Sequence, residues 1–184
     1  NIPVVYAGSS SAHGDIYANP YTFTKWNGEE LCKLYSNVYD LPTTICRFYN
    51  VYGDGQLSEG AYCTVLGIFE RQFKAGEPLT ITSDGEQRRD FTDVMDIVDG
   101  LVRCAKSLYM AEISGETFEL GNGMNYSINE LADAFGDYPR EYIPERPGEV
   151  RESLNVDTKA NDMLGWRPKG DIIEYIKENY ILEK

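Results

Sequence analysis

The sequence predicts an α/β protein: part of a doubly wound parallel sheet, followed by a smaller α/β region. Three observations predict it. Short apolar, β-branched runs at residues 3–7 and 43–48 flank one helical stretch, the order of a right-handed parallel βαβ unit. Helix and strand signals keep alternating to the end of the chain. Loops rich in small and turn-forming residues follow both early strands, at the end of the sheet where open α/β folds bind ligands.

The first strand, residues 3–7, runs into Gly8-Ser9-Ser10-Ser11-Ala12-His13-Gly14. His13, the only histidine, reads as a loop residue rather than a base. The helix that follows opens at Asn19-Pro20, an N-cap followed by a first-turn proline that needs no N–H. It carries Tyr35, Val38 and Tyr39 toward its far end and stops before Leu41-Pro42. Tyr21 and Lys25 lie i, i+4 on one face of it. A phenol, with an ordinary pKa of about 10, is a poor base near neutrality; a fixed ammonium one turn away favours its phenolate and lets it exchange a proton with a hydroxyl. The same spacing at Tyr180 and Lys184 reads as an accident in a frayed tail.

After the second strand comes Tyr49-Asn50-Val51-Tyr52-Gly53-Asp54-Gly55-Gln56, a turn-rich loop. A helix is expected over 61–75 with Gly76 as its C-terminal cap, then a strand at 79–82. Two arginines adjoin in the turn Ser83-Asp84-Gly85-Glu86-Gln87-Arg88-Arg89-Asp90-Phe91. A helix over 94–108 presents Val98, Leu101, Val102 and Ala105 on one face, expected to be its buried one. A strand at 117–120 precedes Ser127-Ile128-Asn129-Glu130, which has capping-box spacing. A strand at 141–144 and helices near 158–164 and 172–181 complete the series.

The 184 residues carry a net charge of −13, which argues against nucleic acid or an anionic membrane as partner. Any phosphate-bearing ligand must therefore be held by a few local arginines. No apolar run approaches a membrane span, and no secretion signal is evident. Four cysteines show neither metal-ligand nor redox spacing, so free thiols, no metal and a cytoplasmic setting are expected. Asn1 is a poor natural start, so the chain is expected to be a piece of something longer.

Taken together, the motifs resemble those of the extended short-chain dehydrogenase/reductases, the NAD-dependent nucleotide-sugar epimerases and dehydratases. Ser9-Ser10-Ser11-Ala12-His13-Gly14 is similar to that family's serine loop ending in Val-Tyr-Gly, and Tyr21 with Lys25 to its Tyr-x-x-x-Lys pair. Arg47-Phe48-Tyr49-Asn50-Val51-Tyr52-Gly53 resembles Arg-x-x-Asn-Val-Tyr-Gly. Asp84-Gly85-Glu86-Gln87-Arg88-Arg89-Asp90-Phe91 resembles Asp-Gly-x-Gln-x-Arg-Asp-Phe, and Arg146-Pro147-Gly148-Glu149 a second arginine segment.

The resemblance implies a Rossmann-like sheet. Residues 1–52 would be the later part of a dinucleotide-binding fold, and 53–184 mainly a nucleotide-sugar-binding region. It implies catalytic Tyr21, Lys25 and Ser9, with Ser10 or Ser11 as alternatives for the serine. Tyr21, Lys25 and Tyr49 would meet the cofactor, NAD or NADP. Ser10, Asn50, Arg89 and Arg146 would meet a nucleoside-diphosphate sugar, and a homodimer or other self-association is implied. Two departures stand out. No Gly-x-x-Gly-x-x-Gly turn occurs anywhere, so NAD binding by this chain alone is expected to be weak or nil. The loop between Gly14 and Tyr21 is also short, with His13 where the family has tyrosine. An alternative is a nucleotide-sugar-binding module without activity of its own.

Overall fold

The computed structural model describes residues 2–60, 62–110, 112–145 and 150–182. Its centre is a three-stranded parallel sheet of β1 (Val4–Ser9), β2 (Thr43–Phe48) and β7 (Thr117–Leu120), with β2 in the middle. The register aligns Gly8, Arg47 and Glu119 across it. Between β1 and β2 runs α1 (Pro20–Tyr39), the predicted βαβ unit. Asn19 caps it by accepting the Thr22 N–H at 2.9 Å, and the chain leaves it through Asp40 in the left-handed region.

Alternate residues of the strands face opposite ways. One face meets α1, where Thr43 donates its hydroxyl to the Cys32 carbonyl and Arg47 meets Glu29. The other meets α3 (Val94–Tyr109), where Cys46 lies 3.4 Å from Cys104, sulfur to sulfur, among Ile97, Leu108, Phe118 and Leu120. Trp166 closes that cluster, 3% exposed, its indole N–H donated to the Asp96 carbonyl at 2.8 Å. The second tryptophan, Trp26, is half-buried on α1 with its ring 6.0 Å from that of Phe23.

The α3 helix forms as expected but buries a different stripe. Ile97, Gly100, Cys104 and Leu108 are inside and Leu101, one of the four expected, packs partly buried against them, whereas Val98 and Val102 are more than 40% exposed and Ala105 is exposed. Both stripes are apolar, and the sheet selects the one that fits beneath Leu120: a Cβ at Gly100 would lie 2.8 Å from the Leu120 side chain.

The rest of the chain forms a second cluster around three two-stranded pairs. These are β3 (Val51–Tyr52) with β6 (Thr92–Asp93), β4 (Leu79–Thr82) with β9 (Arg140–Ile143), both parallel, and β5 (Arg88–Asp90) antiparallel to β8 (Asn125–Ser127). Helices α2 (Val65–Ala75), α4 (Ile128–Asp133) and α6 (Ile172–Ile176) cover them, with Leu66, Phe69, Ile81, Leu131 and Ile176 fully buried. The short α5 (Lys159–Leu164) lies instead against β7 and α3. The predicted capping box is present: Ser127 and Glu130 bond each other's backbone N–H.

The structure departs from three further expectations. α2 starts at Val65, where Thr64 accepts the Gly67 N–H, and not at 61. Arg88 and Arg89 sit on a strand, because the Arg88 and Asp90 N–H groups are taken by the Arg151 and Ser153 carbonyls. Tyr180 is no frayed residue: it is 7% exposed, stacked on Phe135 at 5.4 Å in a π-helical turn (Lys177–Ile181). Lys184 lies outside the described residues.

Candidate functional site

At the C-terminal ends of β1 and β2 the two clusters leave a cleft of about 1060 Å³. Ser9, Ser10, Ser11, His13, Tyr21, Lys25, Tyr49, Asn50 and Arg89 all line it. A second hollow of about 520 Å³ shares Tyr21, Asn50, Thr64 and Arg89 with it and extends over Thr80, Thr82, Gln87 and Phe91. Arg146 lies outside the described residues.

Tyr21 and Lys25 project from the first turns of α1. The Lys25 ammonium donates to the Ala7 carbonyl at 3.0 Å, which fixes it 5.9 Å from the centre of the Tyr21 ring. Tyr21 is 45% exposed, open to the cleft. Glu29 continues the same helical stripe, but it is fully buried and grips Arg47 with both oxygens, at 3.0 and 3.1 Å to Nε and 2.6 Å to Nη2. Gly8 makes this possible, since a Cβ there would lie 2.7 Å from Glu29 Oε1.

The serine loop is folded rather than loose. Ser9 caps a 3₁₀ turn (Ser10–His13), and its Oγ accepts both the Ser11 N–H at 3.2 Å and the Ser11 hydroxyl at 2.9 Å. A hydroxyl has two acceptor sites and one donor, so the Ser9 O–H is what remains to offer a ligand. Across the cleft, Tyr49 is 4% exposed and donates its phenol to Glu119 Oε2 at 3.1 Å. Burial, and after it the Glu119 carboxylate, push the Tyr49 phenol above its ordinary range. Its ring is cleft wall; its hydroxyl is already engaged. Asn50 donates its amide to the Asp90 carbonyl at 2.8 Å.

The two neighbouring arginines separate by strand alternation. Arg88 is turned away, held by Asn125 at 2.8 and 2.9 Å and by Glu130 at 2.9 Å. Arg89 points into both hollows and donates Nη1 to the Arg88 carbonyl. Asp90, fully buried, accepts the N–H groups of Asn122, Gly123 and Asn155 at 2.8–3.0 Å, tying the arginine strand to β7 and to the 155 segment. Burial raises the Asp90 pKa, and those three bonds oppose the rise.

Sequence reasoning missed Glu29, Glu119 and Asp90. For Glu29 a signal existed, the i, i+4, i+8 stripe with Tyr21 and Lys25. Among the described residues, no helix is long and apolar enough to cross a membrane, and no cluster of histidine, cysteine or carboxylate side chains could hold a metal ion.

Comparison with known proteins gives a consistent picture. A model of the NAD dependent epimerase/dehydratase family matches residues 4–121. UDP-glucose 4-epimerase of Mycolicibacterium smegmatis is 36% identical over 165 residues, covering 86% of this chain and 51% of that protein. UDP-glucuronate 4-epimerase of Thermodesulfobacterium geofontis is 30% identical, over 94% of this chain and 54% of that one. The chain thus spans about half the length of these curated relatives. Among solved structures, UDP-glucose 4-epimerase from Thermotoga maritima with UDP-glucose superposes with a TM-score of 0.82 at 29% identity, over 96% of this chain and 61% of that one. UDP-glucuronic acid 4-epimerase from Bacillus cereus, in complex with UDP-glucuronic acid and NAD, gives 0.83 at 26% identity, over 97% and 60%.

Proposed function

Because the chain belongs to the NAD dependent epimerase/dehydratase family, we propose that it supplies the catalytic hydroxyls and the nucleotide-sugar contacts of an enzyme acting on a nucleoside-diphosphate sugar. One observation carries the reading. Two hollows joined at Tyr21, Asn50, Thr64 and Arg89 run from a Ser/Tyr/Lys group to a cleft-facing guanidinium. The relatives named for UDP-sugars are consistent with it.

In this reading Tyr21 takes the proton of a sugar hydroxyl, while Ser9 donates its O–H to the same oxygen. Lys25, fixed on the Ala7 carbonyl one helical turn from Tyr21, reaches the cofactor ribose. Arg89, joined by Arg146, pairs with the diphosphate, and Ser10 and Asn50 border the sugar. NAD, or NADP, would take up the hydride when bound. The residues present fit only its nicotinamide end, at Tyr21, Lys25 and the Tyr49 wall, since no Gly-x-x-Gly-x-x-Gly turn occurs in the 184 residues. That absence favours a second reading, a nucleotide-sugar-binding module without turnover. Titrating NAD into this chain tests that basis: sub-micromolar affinity would remove it.

The reading extends to self-association through the outer face of α1, where Leu31, Leu34, Tyr35, Val38 and Tyr39 are each 47–62% exposed. Light scattering that finds only monomer over a wide concentration range would refute it. A cytoplasmic setting accords with four free cysteines.

The test of the site uses uridine diphosphate as ligand. Arg89→Ala should weaken binding by about 10- to 100-fold, the loss of one or two charge-assisted hydrogen bonds. Arg88→Ala should leave it nearly unchanged, because its guanidinium is spent on Asn125 and Glu130. Equal losses would reduce the site to diffuse positive charge.

A further inference from the structure

We propose that His13 clamps the serine-bearing turn to the far side of the sheet through Glu119, making both of them positioning residues for Ser9. The turn leaves β1 and is four residues long, a length at which a 3₁₀ helix has little stability of its own. Its internal bonds are local: Ser11 to Ser9, and the Gly14 N–H to the Ser11 carbonyl at 3.1 Å. Among the described residues, its one long-range side-chain tie is at the far end. His13 Nε2 lies 3.0 Å from Glu119 Oε1, on β7, with β2 lying between the two strands.

The anchor is rigid and the tether is not. Glu119 is 7% exposed. Its Oε1 also accepts Arg47 Nη1 at 3.1 Å, and its Oε2 accepts the Tyr49 phenol. Arg47 is held in turn by the buried Glu29. The His13 side chain is 52% exposed, so removing it opens no cavity. An ordinary exposed ion pair would order nothing; here the carboxylate is pre-placed by other bonds, and only the imidazole must be positioned. Because the Ser9 hydroxyl takes its orientation from Ser11, whatever fixes the turn fixes the direction of the Ser9 O–H. The catalytic meaning of the clamp rests on the proposed function; its existence does not.

The test needs no turnover and uses this chain, in which His13 is the single histidine and gives one unambiguous imidazole ¹⁵N pattern. At mildly alkaline pH that pattern should show the proton on Nε2, the nitrogen facing Glu119. His13→Ala should speed hydrogen exchange at the Ser11 and Gly14 amides about tenfold and leave the amides of β2 unchanged. His13→Gln, whose amide can donate at the same reach, should restore exchange to within about twofold of the parent. A proton on Nδ1, unchanged exchange in His13→Ala, or no rescue by glutamine would each overturn the clamp. The uridine diphosphate titration of the arginine variants can fail with the clamp intact, and these measurements can fail with that titration intact.

Discussion

The central sheet has two faces built from alternate residues of the same three strands, and they differ in kind. Toward α3 stand Val5, Cys46, Phe48, Phe118 and Leu120, an apolar layer closed by Ile97, Cys104 and Leu108. Toward α1 stand Gly8, Arg47 and Glu119, one aligned row with the Glu29 carboxylate set above it. The apolar face lowers free energy simply by leaving water. The charged face does not: taking ions out of water costs several kcal/mol each, which mutual attraction only offsets. A sheet that needed only stability would carry the first kind of face twice. The charged side is the one whose row ends at the cleft, beneath Ser9 and Tyr49, and the difference reads as rigidity directed at a site.

Substitutions on the two faces should differ in effect. The largest effect expected is on chemistry. In a form that includes a dinucleotide-binding half, Tyr21→Phe should lower turnover by roughly 10²–10⁴ while nucleotide-sugar affinity stays within a few-fold. Near-normal turnover would move the base role elsewhere on this face. Next come the two faces themselves. Arg47→Ala, which strands a buried Glu29, and Phe118→Ala, which opens a cavity, should each cost about 3–5 kcal/mol in denaturant unfolding. Their remedies differ. Because Arg47 also pairs with the buried Glu119, Glu29→Leu, Arg47→Met and Glu119→Gln combined should return stability to within about 1.5 kcal/mol of the parent, yet weaken the ordering of the cleft loops; a triple variant as unstable as Arg47→Ala would show that the ions stabilise after all. The smallest effect belongs to Cys46→Ala, about 1 kcal/mol for one thiol contact to Cys104. That contact, then burial, raises the Cys46 pKa, so the parent thiol should resist alkylation until the protein unfolds.

What the sequence disclosed follows the range of the interactions. The βαβ unit, the Asn19 cap, the Gly76 stop and the Ser127 capping box are local, set by residues within a few positions of one another. The turn at Ser10–His13 and the pairs β3–β6 and β5–β8 are too short to show a period. The α3 error has another origin: two apolar stripes lie side by side, and the choice between them is made by Leu120 from outside the helix. Glu119 was invisible because its partner Arg47 is 72 positions away. In the candidate site, motif spacing reached the residues facing the cleft, and missed the carboxylates behind them that hold those residues still.

The placement of the two tryptophans has an optical consequence. Trp26 rides half-buried on α1, and Trp166 is sealed beneath α3 with its indole bonded to Asp96. Each side of the sheet therefore has its own fluorophore. Retaining either one by changing the other to phenylalanine yields a protein whose emission reports one side alone. If the two emission curves coincide during unfolding, the charged and apolar layers melt as a single unit. If Trp26 shifts first, the layer that borders the cleft can loosen while the other stays closed, and light read at one wavelength would distinguish a disturbed site from a lost fold.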